Sequence, residues 1–196
     1  MEPGVPGSSP GGGTIREGRR VAAVAQIGCA RQGATMAVNV FVSVGKCFRP
    51  EQEQFVSAVE EHLRRNGMRP RTLGRNEFDA DQPLRAVRRL MQSSQGAVII
   101  ALERIRIQQG AEKGEQPLAN VALATPWNQI EATMAYMLKL PMLVLKERGV
   151  KSEGMLDHYD WLVQEVDVVP TLVDQKEFSG AFESWKKSVR KSRLFA

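Results

Sequence analysis

The chain has 196 residues, of which 42% are apolar and 25% are charged, a mixture typical of a soluble globular protein of one domain. No apolar run approaches the roughly 20 residues that a membrane-spanning helix needs, and no secretory signal pattern opens the chain. We therefore expect a cytoplasmic protein without membrane contact. Of the net charge of +5, residues 1–35 hold four arginines and two glutamates, and the remaining +3 is too little to favour nucleic-acid binding.

Metal and disulfide chemistry are not indicated. The two cysteines, Cys29 and Cys47, and the two histidines are scattered without the spacing of metal ligands. We therefore predict no metal site, no disulfide and no bound cofactor.

Residues 1–35 are predicted to be a disordered N-terminal tail, because residues 1–13 consist mainly of glycine, proline and serine and cannot bury a core. Residues 36–196 are then one α/β domain. Short β-branched runs predict five strands, at residues 37–43, 68–73, 96–102, 140–145 and 165–169. Apolar stripes and capping signals predict four helices, over residues 50–66 and following Gln82, Thr125 and Asp174.

Alternation of strands and helices predicts a three-layer, flavodoxin-like fold: a parallel five-stranded sheet with helices on both faces. Ligands of such sheets bind beyond the carboxyl ends of the strands. These ends are residues 43–49, 74–81, 103–106 and 146–149. The polar stretch from Glu103 to Thr125 is predicted to be a long loop, either functional or disordered.

Glu131 is the residue that could carry chemistry. The chain has no P-loop, no GxGxxG and no GxSxG motif. Trp127 and Glu131 are four residues apart and share one side of the third predicted helix. Burial beside Trp127 would raise the pKa of this carboxyl and suit it to acid–base or nucleophilic work. The alternative is a surface glutamate that favours the start of the helix electrostatically.

Three segments resemble Toll/interleukin-1 receptor (TIR) domains: Val40-Phe-Val-Ser43, Val98-Ile-Ile-Ala101 and Trp127-x-x-x-Glu131. The run from Ala135-Tyr136 to Pro141 is also similar to nucleoside 2-deoxyribosyltransferases. The resemblance spans about residues 38–170 and departs from the TIR pattern at Val44, where a tyrosine is usual.

Both families use the corresponding glutamate on an N-glycosidic bond, so the resemblance implies Glu131 as catalytic residue. The likeness to enzymatic TIR domains further implies NAD as substrate rather than cofactor. It also implies a loose link to bacterial antiviral signalling. Predicted substrate contacts are Ser43, Gly45 and Arg49 after the first strand, Arg75 in the position of the TIR interaction loop, Trp127 as a wall of the pocket, and Tyr136 near Glu131. For each of these the alternative is an ordinary loop or packing residue.

Two other functions stay open. The first is a non-catalytic TIR-like adaptor that binds a nucleotide, or assembles as a homo-oligomer or filament, to transmit a signal. The second is a deoxyribosyltransferase-like metabolic enzyme. The arginines between Arg64 and Arg89 are interpreted as a solvated helix face, with a phosphate or partner site as the alternative.

Overall fold

The computed structural model describes residues 37–78 and 82–192. The predicted tail at residues 1–35 therefore lies outside the described residues. The elements follow in chain order: β1 Val38–Val44, α1 Pro50–Arg65, β2 Met68–Arg71, α2 Pro83–Gln92, β3 Gly96–Ala101, β4 Ile105–Glu112, β5 Gln116–Leu123, α3 Pro126–Met137, β6 Met142–Glu147, β7 Leu162–Val166 and α4 Lys176–Ser192.

Five strands form one parallel sheet in the order β2-β1-β3-β6-β7. The α/β class and the three-layer, flavodoxin-like arrangement predicted from the sequence are confirmed. All six residues of the central strand β3 are buried, as expected for a strand covered on both faces. Among the described residues, no helix combines the length and the apolar surface that crossing a membrane requires.

Alternate side chains of β1 pack into two hydrophobic cores, one on each face of the sheet. Val40 and Val42 pack with Phe55 of α1 and Phe178 of α4. Phe41 points to the other face and packs in the core that α2 and α3 cover. The period of two in β1 thus divides the chain into two apolar layers.

Gly96 is the point of closest approach between the sheet and α4. A Cβ atom at this position would lie 2.6 Å from Val189 Cγ2 and 3.2 Å from Trp185 Cζ2. We expect Gly96→Ala to lower the free energy of unfolding by about 1–3 kcal/mol, because α4 must move away to admit the methyl group. Urea denaturation measures this change.

The matched control is Gly180→Ala on α4, where a Cβ atom meets nothing within 4 Å. Since this exchange only removes a flexible residue from a helix, we expect a gain of roughly 0.5–1 kcal/mol. Equal effects of the two exchanges would contradict the close packing at Gly96.

The prediction of a loop from Glu103 to Thr125 is wrong for most of this segment. Strands β4 and β5 form a two-stranded antiparallel hairpin outside the main sheet. Its turn uses positive φ at Lys113 (50°) and Gly114 (81°). Lys151 holds the hairpin to the loop after β6, since its amide donates to the Ala122 carbonyl (2.8 Å) and its ammonium contacts Glu112 (2.7 Å).

Three strands differ from the prediction by two residues or more: β2, β7 and β6, which lies at Met142–Glu147 rather than at residues 140–145. β2 ends at Arg71, because the Thr72 carbonyl accepts from the amides of Arg75, Asn76 and Glu77 and the chain turns there. β7 begins at Leu162, earlier than the predicted residue 165. In this edge strand only Val163 and Val166 are buried, so the apolar pattern near residue 166 marks only its end.

Candidate active site

A cavity of about 430 Å³ lies at the carboxyl ends of β1 and β3, against the first turn of α3. We call it the edge cavity. Its walls include Gly45 and Lys46 after β1, Arg104 after β3, and Trp127, Asn128 and Glu131 of α3. The volume falls in the range of small-molecule sites, and the position is where parallel sheets bind ligands.

The sequence fixes the start of α3 beside the edge cavity. Thr125 is the N-cap, and its Oγ1 accepts from the Trp127 amide at 3.3 Å. Pro126 occupies the first turn, where no amide hydrogen is needed. Trp127 is 43% exposed, so it forms a wall of the edge cavity rather than part of the core.

Glu131 is partly buried one turn into α3 and lines the edge cavity. Burial raises the pKa of its carboxyl to about 7, and a hydrogen bond from the Ser43 hydroxyl opposes that rise. Glu131 is therefore not a fully solvated surface glutamate. Near neutral pH this carboxyl is present in both its protonated and its ionised form. Carboxyls with such raised pKa values are more frequent at functional sites than elsewhere.

Two buried polar side chains join the start of α3 to the main sheet. Ser43 at the end of β1 and Asn128 on α3 are each 1% exposed. The Asn128 amide donates from Nδ2 to Ser43 Oγ at 3.0 Å and to the Ile100 carbonyl oxygen at 3.3 Å. The Asn128 amide thus links α3 to both β1 and β3.

The edge cavity also carries two exposed cations. Within the described residues, neither Lys46 nor Arg104 forms an ion pair. Glu103, the acidic residue next to Arg104, does not pair with either cation, because it pairs with Arg106. Lys46 and Arg104 are therefore available to an anionic group of a ligand.

The structure brings four of the predicted residues together and leaves three elsewhere. Gly45, Trp127 and Glu131 line the edge cavity, and the buried Ser43 lies behind its wall, bonded to Asn128. Arg49 pairs with Glu147 beside α1, and Arg75 pairs with Glu53 (2.6 Å) and Glu60 (3.4 Å). Neither arginine lines the edge cavity.

Tyr136 lies at the opposite edge of the sheet. It borders a second cavity of about 660 Å³ near the amino ends of β6 and β7. Its ring packs edge-on against Trp161 at 5.4 Å. The predicted position near Glu131 is therefore wrong, because five residues of helix turn Tyr136 to another side.

The arginine-rich region is largely paired within the protein. Arg64 contacts Glu60 and Glu61, and Arg71 contacts Glu77 at 2.7 Å. These pairs support the interpretation as a surface of helix and strand rather than a phosphate site.

Sequence reasoning missed Lys46, Arg104 and Asn128 as individual residues. The segments that hold Lys46 and Arg104 were expected at the ligand-binding edge, but nothing in their local pattern singles them out. Asn128 is buried although its neighbours Pro126 and Trp127 are exposed, so no run of apolar residues marks its burial in the sequence. Within the described residues, no group of three or more His, Cys, Asp or Glu side chains is placed to hold a metal ion.

Comparison with known proteins adds no identification. No protein-family model matches the chain, and no curated protein matches it either.

Proposed function

We propose that the chain is a TIR-like, NAD-processing enzyme that hydrolyses or rearranges the N-glycosidic bond between nicotinamide and ribose. The observation that carries the proposal is the Glu131 carboxyl, partly buried and lining a ligand-sized cavity at the carboxyl edge of a parallel sheet. The sequence likeness to TIR domains around Trp127 and Glu131 supports the same assignment. The proposal includes a cytoplasmic location.

Cleavage of the bond between nicotinamide and ribose can be assisted by a single ionised carboxylate. When the C1′–N1 bond breaks, its electron pair returns to the nicotinamide ring nitrogen, so the leaving group departs neutral and needs no proton. The ribose is left as an oxocarbenium-like cation, which an ionised Glu131 stabilises or traps. Water then attacks C1′ and releases one proton, which gives ADP-ribose.

Charge at the edge cavity favours NAD over a free deoxynucleoside. Lys46 and Arg104 can contact phosphate oxygens, which NAD has and a deoxynucleoside lacks. Among the described residues that line the edge cavity, no second carboxyl is free to protonate a departing base, since Glu103 pairs with Arg106. A purine or pyrimidine leaving group needs such a proton more than nicotinamide does.

The two cations give a prediction about binding. We expect the double variant Lys46→Ala and Arg104→Ala to raise KM for NAD by about 10- to 100-fold with little change in kcat, because the phosphates lie away from the reacting carbon. Initial rates over a range of NAD concentrations measure this.

The control removes the same charge elsewhere, by Lys187→Ala and Arg190→Ala on the exposed face of α4, and we expect an unchanged KM. A KM that moves equally in both double variants would mean that net charge, rather than local contact, attracts the substrate.

One assay separates the candidate functions. Purified protein is incubated with NAD, and separately with a deoxynucleoside and a second free base, and products are resolved by liquid chromatography. We expect free nicotinamide from the first mixture. Exchanged base from the second mixture alone would favour the deoxyribosyltransferase-like function. No product from either, at high protein concentration, would contradict catalysis and favour the non-catalytic adaptor. Assembly as a homo-oligomer or filament and a role in antiviral signalling stay predictions.

A further inference from the structure

One edge of the β4–β5 hairpin is held and the other is open. On the β5 side, Ala122 forms a bridge with Val150, and the Ala122 carbonyl oxygen accepts from the Lys151 amide at 2.8 Å. On the other side, which we call the β4 edge, no described strand pairs with residues 105–112 apart from β5 itself. Since the residues of a strand direct their N–H and C=O groups alternately to either side, about half of β4 presents both groups at this edge. A further strand can pair with them.

The main sheet protects its edges, whereas the β4 edge is unprotected. The outermost strands β2 and β7 have four and five residues, and Pro70 interrupts β2. Short edge strands and proline are two means by which proteins prevent a further strand from adding. β4 has eight residues and no proline, and six of the eight are exposed. A largely exposed two-stranded hairpin is marginally stable by itself, so it gains stability from additional strands.

The sequence of β4 is complementary to a second copy of itself. Two β4 strands that meet antiparallel about a twofold axis at Gln109 place Arg106 opposite Glu112 of the partner subunit. Opposite residues of an antiparallel pair lie on the same face of the sheet, so symmetry gives two such ion pairs. On the other face, Ile107 lies opposite Ala111 of the partner subunit. Charge and apolar contact therefore favour the same register.

Neighbouring charges of the same chain extend each of these ion pairs. Arg106 contacts Glu103, and Glu112 contacts Lys151 at 2.7 Å. An interface pair of Arg106 with the partner subunit's Glu112 therefore has a further opposite charge at each of its ends. Exposed ion pairs add little affinity. Their effect is on register and on the choice of partner, while backbone hydrogen bonds between the strands supply the affinity.

We infer that the β4 edge is a dimer interface: two copies of this chain join their β4 strands antiparallel about Gln109 and form one four-stranded sheet in the order β5-β4-β4-β5. A closed twofold arrangement uses the open edge of both copies, so assembly stops at the dimer. The inference goes beyond the proposed function and does not rest on it. β4 begins directly after Arg104, which lines the edge cavity, so each edge cavity lies next to the interface.

Sedimentation velocity of the whole chain at physiological ionic strength tests this over concentrations of about 1–300 µM, where interfaces below the standard size dissociate. We expect the sedimenting mass to rise from 21.7 kDa to twice this value across the range. Gln109→Lys places two ammonium groups opposite each other at the twofold axis, and we expect it to raise the Kd of the dimer by at least about 10-fold. Gln109 is exposed, so the variant should fold with an unchanged circular dichroism spectrum.

The matched control is Ala119→Lys. Ala119 is exposed and pairs with Gln109 in the hairpin, so this exchange adds the same charge one strand further from the axis. Since strands lie about 4.8 Å apart, the two substituted positions of a dimer are about 5 Å apart in the Gln109 variant and about 14 Å apart in the control. The longer distance exceeds the Debye length of about 8 Å. We therefore expect wild-type association of the control.

Charge reversal tests the register. Arg106→Glu and Glu112→Arg each set like charges opposite each other, and we expect each exchange to raise the Kd by about 3- to 10-fold. Combined, they restore opposite charges across the interface, and the Kd should return to within about 2-fold of the wild-type value. The combined variant keeps its new repulsions with Glu103 and Lys151 of its own chain. Recovery can therefore come only from contacts between subunits.

A chain that stays monomeric at every concentration would overturn the inference. Equal effects of Gln109→Lys and Ala119→Lys would do the same, because an interface elsewhere on the surface does not distinguish them. Assembly that continues beyond the dimer would contradict the closed twofold arrangement. None of these measurements needs turnover. An inactive protein that dimerises through β4 would retain this inference and contradict the proposed enzyme, whereas an active monomer would do the reverse.

Discussion

Glu131→Gln is expected to reduce nicotinamide release from NAD by at least about 1,000-fold at saturating substrate. Glutamine has the same size and can still accept from Ser43, but it carries no charge toward the oxocarbenium-like ribose. Loss of one group aimed at charge that develops in the transition state typically costs two to three orders of magnitude, and a nucleophile costs more. Because the charge appears only as the bond breaks, kcat falls while KM changes little. Initial rates of nicotinamide release measure both constants.

Two variants serve as controls for this loss. Glu131→Asp keeps the charge but withdraws it by one methylene, so we expect an intermediate rate. Glu115→Gln makes the same charge change in the turn of the hairpin, and we expect wild-type turnover. Full activity of Glu131→Gln would show that the carboxyl takes no part in the reaction.

The same exchange is expected to make the protein more stable at alkaline pH. A pKa of about 7 in place of 4.5 means that keeping Glu131 ionised in the folded state costs about 3 kcal/mol. The folded carboxyl binds its proton more tightly than the unfolded one, so wild-type stability falls as pH rises from about 4.5 to 7 and stays low above that. Glu131→Gln escapes this cost. Thermal unfolding at pH 8 should show a Tm higher by about 6–12 °C in a domain of this size.

The pH dependence is the decisive part of that measurement. Below about pH 4.5 the carboxyl is protonated in both states, so the two proteins should unfold at nearly the same temperature. The exposed Glu115→Gln variant should show no such dependence. Equal stability of wild type and Glu131→Gln at pH 8 would contradict the burial of the carboxyl. Together with the loss of turnover, a gain in stability would identify a residue kept for function at the expense of the fold.

Much of the fold could be predicted because the strands of the main sheet are buried and because sequence signals mark where the helices begin. The β-branched run in β1 and the continuous apolar run in β3 are typical of strands covered on both faces. Proline in the first turn marks α1, α2 and α3. The hairpin was missed because most of β4 and β5 is exposed. A strand that buries neither face has no alternation to detect, and only the turn at Gly114 offered a local signal.

The candidate site was predictable where one helix carries it and not where the chain must fold to assemble it. Trp127 and Glu131 share a helix, so their spacing alone places them together. The partnership of Ser43 with Asn128 joins residues far apart in sequence, and only strand order brings them into contact. Arg49 and Arg75 failed to reach the edge cavity because glutamates on neighbouring elements bind them first. Local sequence does not reveal which of several acids a given arginine meets.

The strand order also determines when during folding the edge cavity can exist. The hairpin of β4 and β5 closes over residues 113–115 and can form within microseconds. The pairings of β1 with β3, such as Val40 with Gly96, must close loops of dozens of residues, which is slow. Glu131 acquires its partly buried surroundings only after that step. A chain still emerging from the ribosome therefore carries an ordinary, solvated glutamate, and the raised pKa of Glu131 arises with the completion of the sheet.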